Sequence, residues 1–511
     1  MHNLQMKMAF RLAIVFVSLS LVNAQVSFSE PHFVTQIDIT ANSNDAIFTD
    51  LITADLDGDG HLDISYTYFY WNEDRSCFVY WCPNTDGVGT FADRILVADS
   101  VGGRSLNYAD IDEDQDIDLI AGGDGIVWLE NTDGTGTFEE HFVTETGTPF
   151  TVYAVDLDSD EDMDILYSTY AGISYTSWDD GIFWCPNIDG SGAFGERIRL
   201  DHGGAWAVWA SPADADGDGD LDVFYYVDEE SPSEYWAENV DGAGAFNIYH
   251  TFDSDSTGFN PPIVVADLDS DGDVDVLGNM YILQSDGSYQ GGTGWSENVD
   301  GLGSFQEGTI IPIQELDGPY RVNATDLDGD GDMDVITSAV VGVFDANHWI
   351  LSSGWLENIN GQGFFDPIQI ISDTLDVRSS ADLDGDGDMD LIAISVENIY
   401  WLENLMIVTD VDGQHNAIPQ RFRLANNYPN PFNPTTTISY SLPEQSVVDL
   451  TVFDILGREV LTLQNTDQPK GNYQVYWNGM DQSGNQVSTG VYFARLQAGE
   501  YNQTIKMVYL R

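Results

Sequence analysis

The residues of this chain best suited to chemistry are carboxylates at alternate positions, seen most plainly in the nine residues from Asp382 to Asp390, Asp-Leu-Asp-Gly-Asp-Gly-Asp-Met-Asp. Asp382, Asp384 and Asp386 take positions 1, 3 and 5, the carbonyl of Asp388 falls at position 7, and Asp390 closes the loop at position 9. An all-oxygen set on a tightly turned loop suits calcium, a hard cation that accepts flexible geometry, better than magnesium and far better than a soft metal. Gly387 at position 6 permits the left-handed backbone that folds such a loop around an ion. An EF-hand shares the early ligands but closes with a Glu at position 12 between two helices. Here position 12 is Ala393, and Leu391-Ile392 after the last Asp reads as the opening of a strand.

The pattern occurs seven times, which argues against a merely solvated Asp-Gly turn and implies about seven Ca2+. The candidate metal positions are Asp55, Asp57, Asp59, His61 and Asp63 in the first copy, and Asp110, Asp112, Asp114, Asp116 and Asp118 in the second. They continue with Asp156, Asp158, Asp160, Asp162 and Asp164, then Asp214, Asp216, Asp218, Asp220 and Asp222. The fifth copy has Asp267, Asp269, Asp271, Asp273 and Asp275, the sixth Asp326, Asp328, Asp330, Asp332 and Asp334, and the seventh Asp382, Asp384, Asp386, Asp388 and Asp390. Position 6 is Gln115 in the second copy and Glu161 in the third, where the other five have glycine, so these two loops are expected to release metal first.

Elements that would hold these loops recur with them. The period, near 54 residues on average, fits one four-stranded propeller blade. Trp81, Trp128, Trp184, Trp236, Trp295, Trp355 and Trp401 each precede an Asn by three residues, and in the first six copies a Phe follows ten residues after the Trp. An Asp-Gly or Asn-Gly turn lies between, the chemistry of a hairpin. One Trp per repeat reads as packing between blades. The seventh copy lacks the hairpin and the Phe, whereas residues 28–35 match Phe138–Thr144 in pattern. The N-terminal segment, residues 28–37, is therefore expected to supply the last strand and close the ring.

These loops resemble the FG-GAP/VCBS repeat family, whose best-known members are the integrin α-subunit propellers, over about residues 28–404. The resemblance implies an all-β, seven-bladed, calcium-binding propeller at 25–404, in a family that includes adhesion receptors, lectins and a few lyases. After a linker at 405–423 the composition changes. Asn427-Tyr428-Pro429-Asn430-Pro431-Phe432-Asn433-Pro434 leads into alternating strands, read as a small Ig-like β-sandwich over 424–511. That segment, with Gly490-Val491-Tyr492-Phe493 and the terminal Lys506 to Arg511, resembles the type A sorting domain of the type IX secretion system. The resemblance implies outer-membrane secretion machinery as a partner and a bacterial cell-surface destination.

Composition narrows the function. Of 86 acids, eight lie beyond residue 410 and none in residues 1–24, so residues 25–410 carry 78 against seven arginines and no lysine. Such a surface repels nucleic acid and anionic lipid. Residues 1–24, with Lys7 and Arg11 before the apolar run Leu12–Val22, read as a signal peptide, and no later run is long enough to span a membrane. Cys77, Cys82 and Cys185 have no metal-type spacing and read as buried free thiols.

No nucleophile elbow, HExxH or phosphate loop occurs, so an enzyme is the secondary expectation, in the form of a polysaccharide-active lyase. The leading expectation is a secreted adhesion module for a glycan or protein ligand. Its candidate contacts are aromatics between the second and third strands of each repeat: Tyr66, Tyr68, Tyr70 and Trp71 in the first, Tyr175 and Trp178 in the third, Trp349 in the sixth. Tyr70, Trp71, Tyr175, Trp178 and Trp349 are the proposed ligand-binding set.

Overall fold

The computed structural model describes residues 26–37, 46–70, 77–99, 104–123, 125–145, 148–170, 180–201, 206–228, 234–252, 257–283, 288–313, 319–345, 348–359, 361–395, 398–405, 422–424, 436–442, 445–455, 457–480, 482, 486–499 and 501–509. Residues 1–24 and most of 405–423 lie outside this set. Every regular element in it is a β-strand.

Up to residue 405 the strands form seven four-stranded antiparallel sheets. Their first strands are Ala46–Ala54, Ser105–Ala109, Thr148–Val155, Trp206–Ala213, Thr257–Ala266, Pro319–Thr325 and Asp376–Ala381. Each first strand contacts that of the next sheet, and the first sheet's contacts the seventh's, so the sheets stand around a closed ring. This is a β-propeller arrangement. Each sheet is sandwiched between two neighbours, which explains why a second strand such as Asp118–Gly122 is buried on both faces.

The seventh sheet takes its fourth strand from the start of the chain. His32–Gln36 pairs antiparallel with Asn398–Leu402, with His32 opposite Trp401. Phe28 bridges Asn404, the pairing that Asn84 makes with Phe91 and Asn187 with Phe194 in their own repeats. The Leu405 N–H donates to Ser27 O at 2.7 Å, and the Ser29 N–H to Glu403 O at 2.9 Å.

Six of the seven repeat tryptophans are buried and Trp295 is half-buried. All but Trp355, whose following sheet lacks that hairpin, meet the hairpin of the following sheet. A Cβ built on Gly244, whose φ is +80°, would lie 2.4 Å from the Trp184 ring, and Gly89, Gly136, Gly192, Gly303 and Gly363 meet Trp401, Trp81, Trp128, Trp236 and Trp295 in the same way. The second glycine of each Asp/Asn-Gly-x-Gly turn thus lets a hairpin lie flat on its neighbour's indole.

Some local expectations change. The fourth strand opens at Phe138 and Phe246 in repeats 2 and 4, but in repeat 1 Phe91 makes only a bridge and the strand is Ile95–Asp99. Tyr66 and Tyr68 are core residues rather than loop residues, 0% and 3% exposed, stacked on Tyr80 at 5.5 and 5.7 Å between ring centres. The long stretch from Gly278 to Gly294 is mostly a two-stranded ribbon whose ladder runs out to Leu283 opposite Tyr289. The three cysteines are buried and none forms a disulfide.

Beyond residue 421 a second unit has two sheets. Arg423–Leu424, Thr436–Leu442 and Gly471–Trp477 form one, and Glu459–Gln468, Ser446–Asp454, Gly490–Ala498 and Tyr501–Tyr509 form the other. Ile438, Leu450, Val452, Trp477, Leu496 and Met507 pack between them at 0–1% exposure. The polar edge strand Glu459–Gln468 has too weak an alternation to read from sequence.

Candidate metal centres

Each acidic loop joins the first strand of its sheet to the second, and position 9 is the first residue of the second strand in all seven repeats. The backbone tightens the loop by donating to its own carboxylates. In repeat 4, Asp214 accepts from the N–H groups of Gly217 and Gly219, at 2.7 and 3.1 Å. Asp216 accepts from Asp218 at 3.3 Å, and Asp218 from Asp220 at 3.0 Å. The bond from the position 6 N–H to position 1 Oδ2 occurs in every repeat.

Position 6 is left-handed throughout, including Gln115 and Glu161, both at φ 78°. Position 4 is left-handed as well, at Glu113, Ser159 and Ser270 beside four glycines, a requirement the sequence pattern does not announce. Nothing lies within 4 Å of a Cβ built on Gly60, Gly219, Gly272 or Gly387, so the cost of a side chain at position 6 is torsional only.

Carboxylate oxygens converge inside these loops. One from each of Asp55, Asp57 and Asp63 lies within 4.8 Å of the others, as in Asp110, Asp112 and Asp114; Asp156, Asp158 and Asp164; Asp214, Asp216 and Asp218; and Asp267, Asp269 and Asp271. The Oδ1 atoms of Asp57, Asp110, Asp112, Asp158, Asp267, Asp269 and Asp382 are buried with no hydrogen-bond donor. Buried oxygens left without donors beside like charges fit a bound cation, and an oxygen-only donor set fits a hard one.

The position 9 carboxylates are the deepest, 0–1% exposed. Asp222 accepts from the Asn239 N–H at 2.8 Å and from the Ala215 N–H at 2.9 Å. Burial nevertheless pushes Asp63 and Asp118 up to about 6, Asp164, Asp222, Asp275 and Asp390 to about 7, and Asp334 to about 8. At position 3, burial and then the neighbouring acids raise Asp328 to about 7 and Asp269 and Asp384 to about 6. A bound cation would oppose these shifts and hold the groups ionised.

The position 7 side chains turn away from the cluster toward the hairpin of their own sheet. A Cβ on Gly87 would lie 2.2 Å from the His61 ring, and Gly134, Gly190, Gly242, Gly301 and Gly361 face Asp116, Asp162, Asp220, Asp273 and Asp332 likewise. That leaves the position 7 backbone as its contribution to the loop. Asp388, in the repeat without that hairpin, instead keeps a buried Oδ1 with no donor.

Trp71, Tyr175 and Trp178 lie outside the described residues, and Tyr70 and Trp349 are described only in their backbone.

Residues 55–121 and 110–167 match the FG-GAP-like repeat family. The match covers the first three of the seven loops. Residues 430–502 match the FlgD Ig-like domain. No curated protein is significantly similar to the chain in sequence. Similar solved structures include the V. cholerae biofilm matrix protein Bap1, 13% identical over 75% of this chain and 91% of that one, with a TM-score of 0.40. The exotype rhamnogalacturonan lyase YesX is 13% identical over 75% and 76%, at 0.38, and the polysaccharide lyase Uly1 8% over 73% and 98%, at 0.40. Likeness at this level carries no functional argument. No helix among the described residues is long and apolar enough to cross a membrane.

Proposed function

We propose that residues 25–404 form a seven-bladed β-propeller that holds one Ca2+ in each acidic loop and works outside the cell as a binding or adhesion module for a glycan or protein ligand. The observation that carries this reading is the repeated convergence of carboxylates, with buried oxygens that have no donor, at one end of the sheets. The metal end is uniform from repeat to repeat, as a structural clamp should be. The opposite end varies: strands two and three extend to Asp334–Asp345 and His348–Leu356 in repeat 6, against Asp118–Gly122 and Ile126–Asn131 in repeat 2. Variable connections on a rigid scaffold are where recognition is usually placed, and the ligand contacts are assigned to Tyr70, Trp71, Tyr175, Trp178 and Trp349, which in sequence fall at or between the second and third strands of their repeats. Their rings are suited to stacking on sugar faces.

Residues 424–511 are proposed to direct export through a type IX-like route, on the strength of the Asn427–Pro434 and Lys506–Arg511 motifs. The test is a glycan array on calcium-loaded protein, with Trp71→Ala and Trp178→Ala compared. Both should weaken binding tenfold or more with calcium content and melting temperature unchanged. Normal binding by both variants would remove this site, and cleavage of a bound glycan would replace adhesion with a polysaccharide-active enzyme.

A further inference from the structure

The Asn three residues after each repeat Trp is 1% exposed in all seven repeats, at Asn84, Asn131, Asn187, Asn239, Asn298, Asn358 and Asn404. Its backbone N–H donates to Oδ1 of the position 9 Asp of its own loop at 2.7–2.9 Å. Its Nδ2 donates to the position 2 carbonyl of the preceding loop at 2.8–3.0 Å: Asn131 to Leu56, Asn187 to Ile111, Asn239 to Leu157, Asn298 to Ala215, Asn358 to Leu268 and Asn404 to Leu327. The last link, Asn84 Nδ2 to Leu383 O at 2.8 Å, joins the first repeat to the seventh.

That same position 2 residue donates its N–H to Oδ2 of the position 9 Asp in its own loop, at 2.9–3.2 Å in every repeat. One unbroken course of hydrogen bonds therefore passes from Asp164 through Leu157 and Asn239 to Asp222, and so on around the ring. It has no free end. Every carboxylate oxygen that closes a loop is held by groups tied to the adjacent loop.

We propose that these asparagines are positioning residues that couple neighbouring metal loops, so that calcium bound in one repeat orders the closing carboxylate of the next and the ring fills with positive cooperativity. The proposal rests on the calcium reading above. An ion that fixes Asp164 also fixes the Leu157 peptide, which anchors the Asn239 amide and with it the Asp222 partner. Coupling needs a contiguous physical link between two sites that both bias the same element, and here one residue supplies it at each junction. Strain at Gln115 and Glu161 then sets which loops yield first, while the asparagines set how sharply the others follow.

The experiment is calcium binding by calorimetry on metal-stripped full chain, with bound metal counted independently. Wild type should bind with a Hill slope above 1. Asn239→Ala removes the donor to Leu157 O and keeps the backbone N–H to Asp222; it should retain the calcium content and lower the slope. A residue that merely stabilised the fold would lower the melting temperature and leave the slope alone. If Asn239→Ala does not fold, hydrogen exchange on wild type decides. Loop amides of adjacent repeats should gain protection at the same calcium concentration. Full calcium content with a slope at or below 1, an unchanged slope in a folded Asn239→Ala, or loops protected one by one would overturn the coupling alone. A chain that binds no calcium would overturn both the coupling and the reading beneath it.

Discussion

Gly244 lies flat against the indole of Trp184, one repeat back in the ring, with room for no Cβ between them. Gly244→Val therefore meets both a ring it would overlap and a backbone φ of +80°, and should cost roughly 2–4 kcal/mol. Trp184→Ala, which empties the same contact, should cost about 3–5 kcal/mol. Thermal unfolding of both variants checks this; two melting temperatures equal to wild type would mean the indoles do not lock the sheets together.

The seventh sheet depends on the chain's first described strand. Deleting residues 26–37 should bare the edge of Asn398–Leu402 and leave Trp401 without its His32 stacking partner, 4.8 Å away. Aggregation of this deletion, alongside a soluble monomeric deletion of residues 422–511, is the expected outcome by size-exclusion chromatography. A monomeric N-terminal deletion would show that the last sheet manages without it.

Gln115 and Glu161 hold φ near +78° where other repeats use glycine. Gln115→Gly and Glu161→Gly should each stabilise the calcium-loaded protein by about 1 kcal/mol, and Gly60→Gln should cost a similar amount. The readouts are melting temperature and calcium retained after dialysis. No change in any of the three would mean the loops carry no torsional strain.

Acidity should act in opposite directions with and without metal. In the metal-free fold the position 9 acids have pKa values of about 6 to 8 against an ordinary 3.8. The folded state then binds more protons than the unfolded one between about pH 4 and 8, so stability falls as pH rises through that window. With calcium bound the same groups are held ionised, and stability falls as pH drops. Metal-stripped protein should melt higher at pH 5 than at pH 7.5, and calcium-loaded protein should show the reverse; the same order in both buffers would contradict this.

The ligand loops were legible because their carboxylates are local in sequence, and the Trp-to-Asn and Phe spacing because a blade is a local unit. What escaped were properties set across the ring. Tyr66 and Tyr68 carry the composition of a recognition loop, but strand alternation and the neighbouring sheet bury them. The left-handed backbone at position 4 is hidden because Glu113, Ser159 and Ser270, rather than glycine, stand there in three of the seven loops. The Asn is visible at every repeat, yet its partner lies a whole repeat away, as with Asn239 and Leu157, 82 residues apart.

The most direct measurement is the metal content of purified protein together with its melting temperature before and after metal removal. At tenfold excess over its dissociation constant each site adds roughly 1.4 kcal/mol, so seven independent sites would add on the order of 10 kcal/mol, comparable to the whole stability of an ordinary domain. The account predicts close to seven Ca2+ per chain and a large fall in melting temperature when they are removed. A chain that carries no calcium and melts at the same temperature in excess chelator would contradict it.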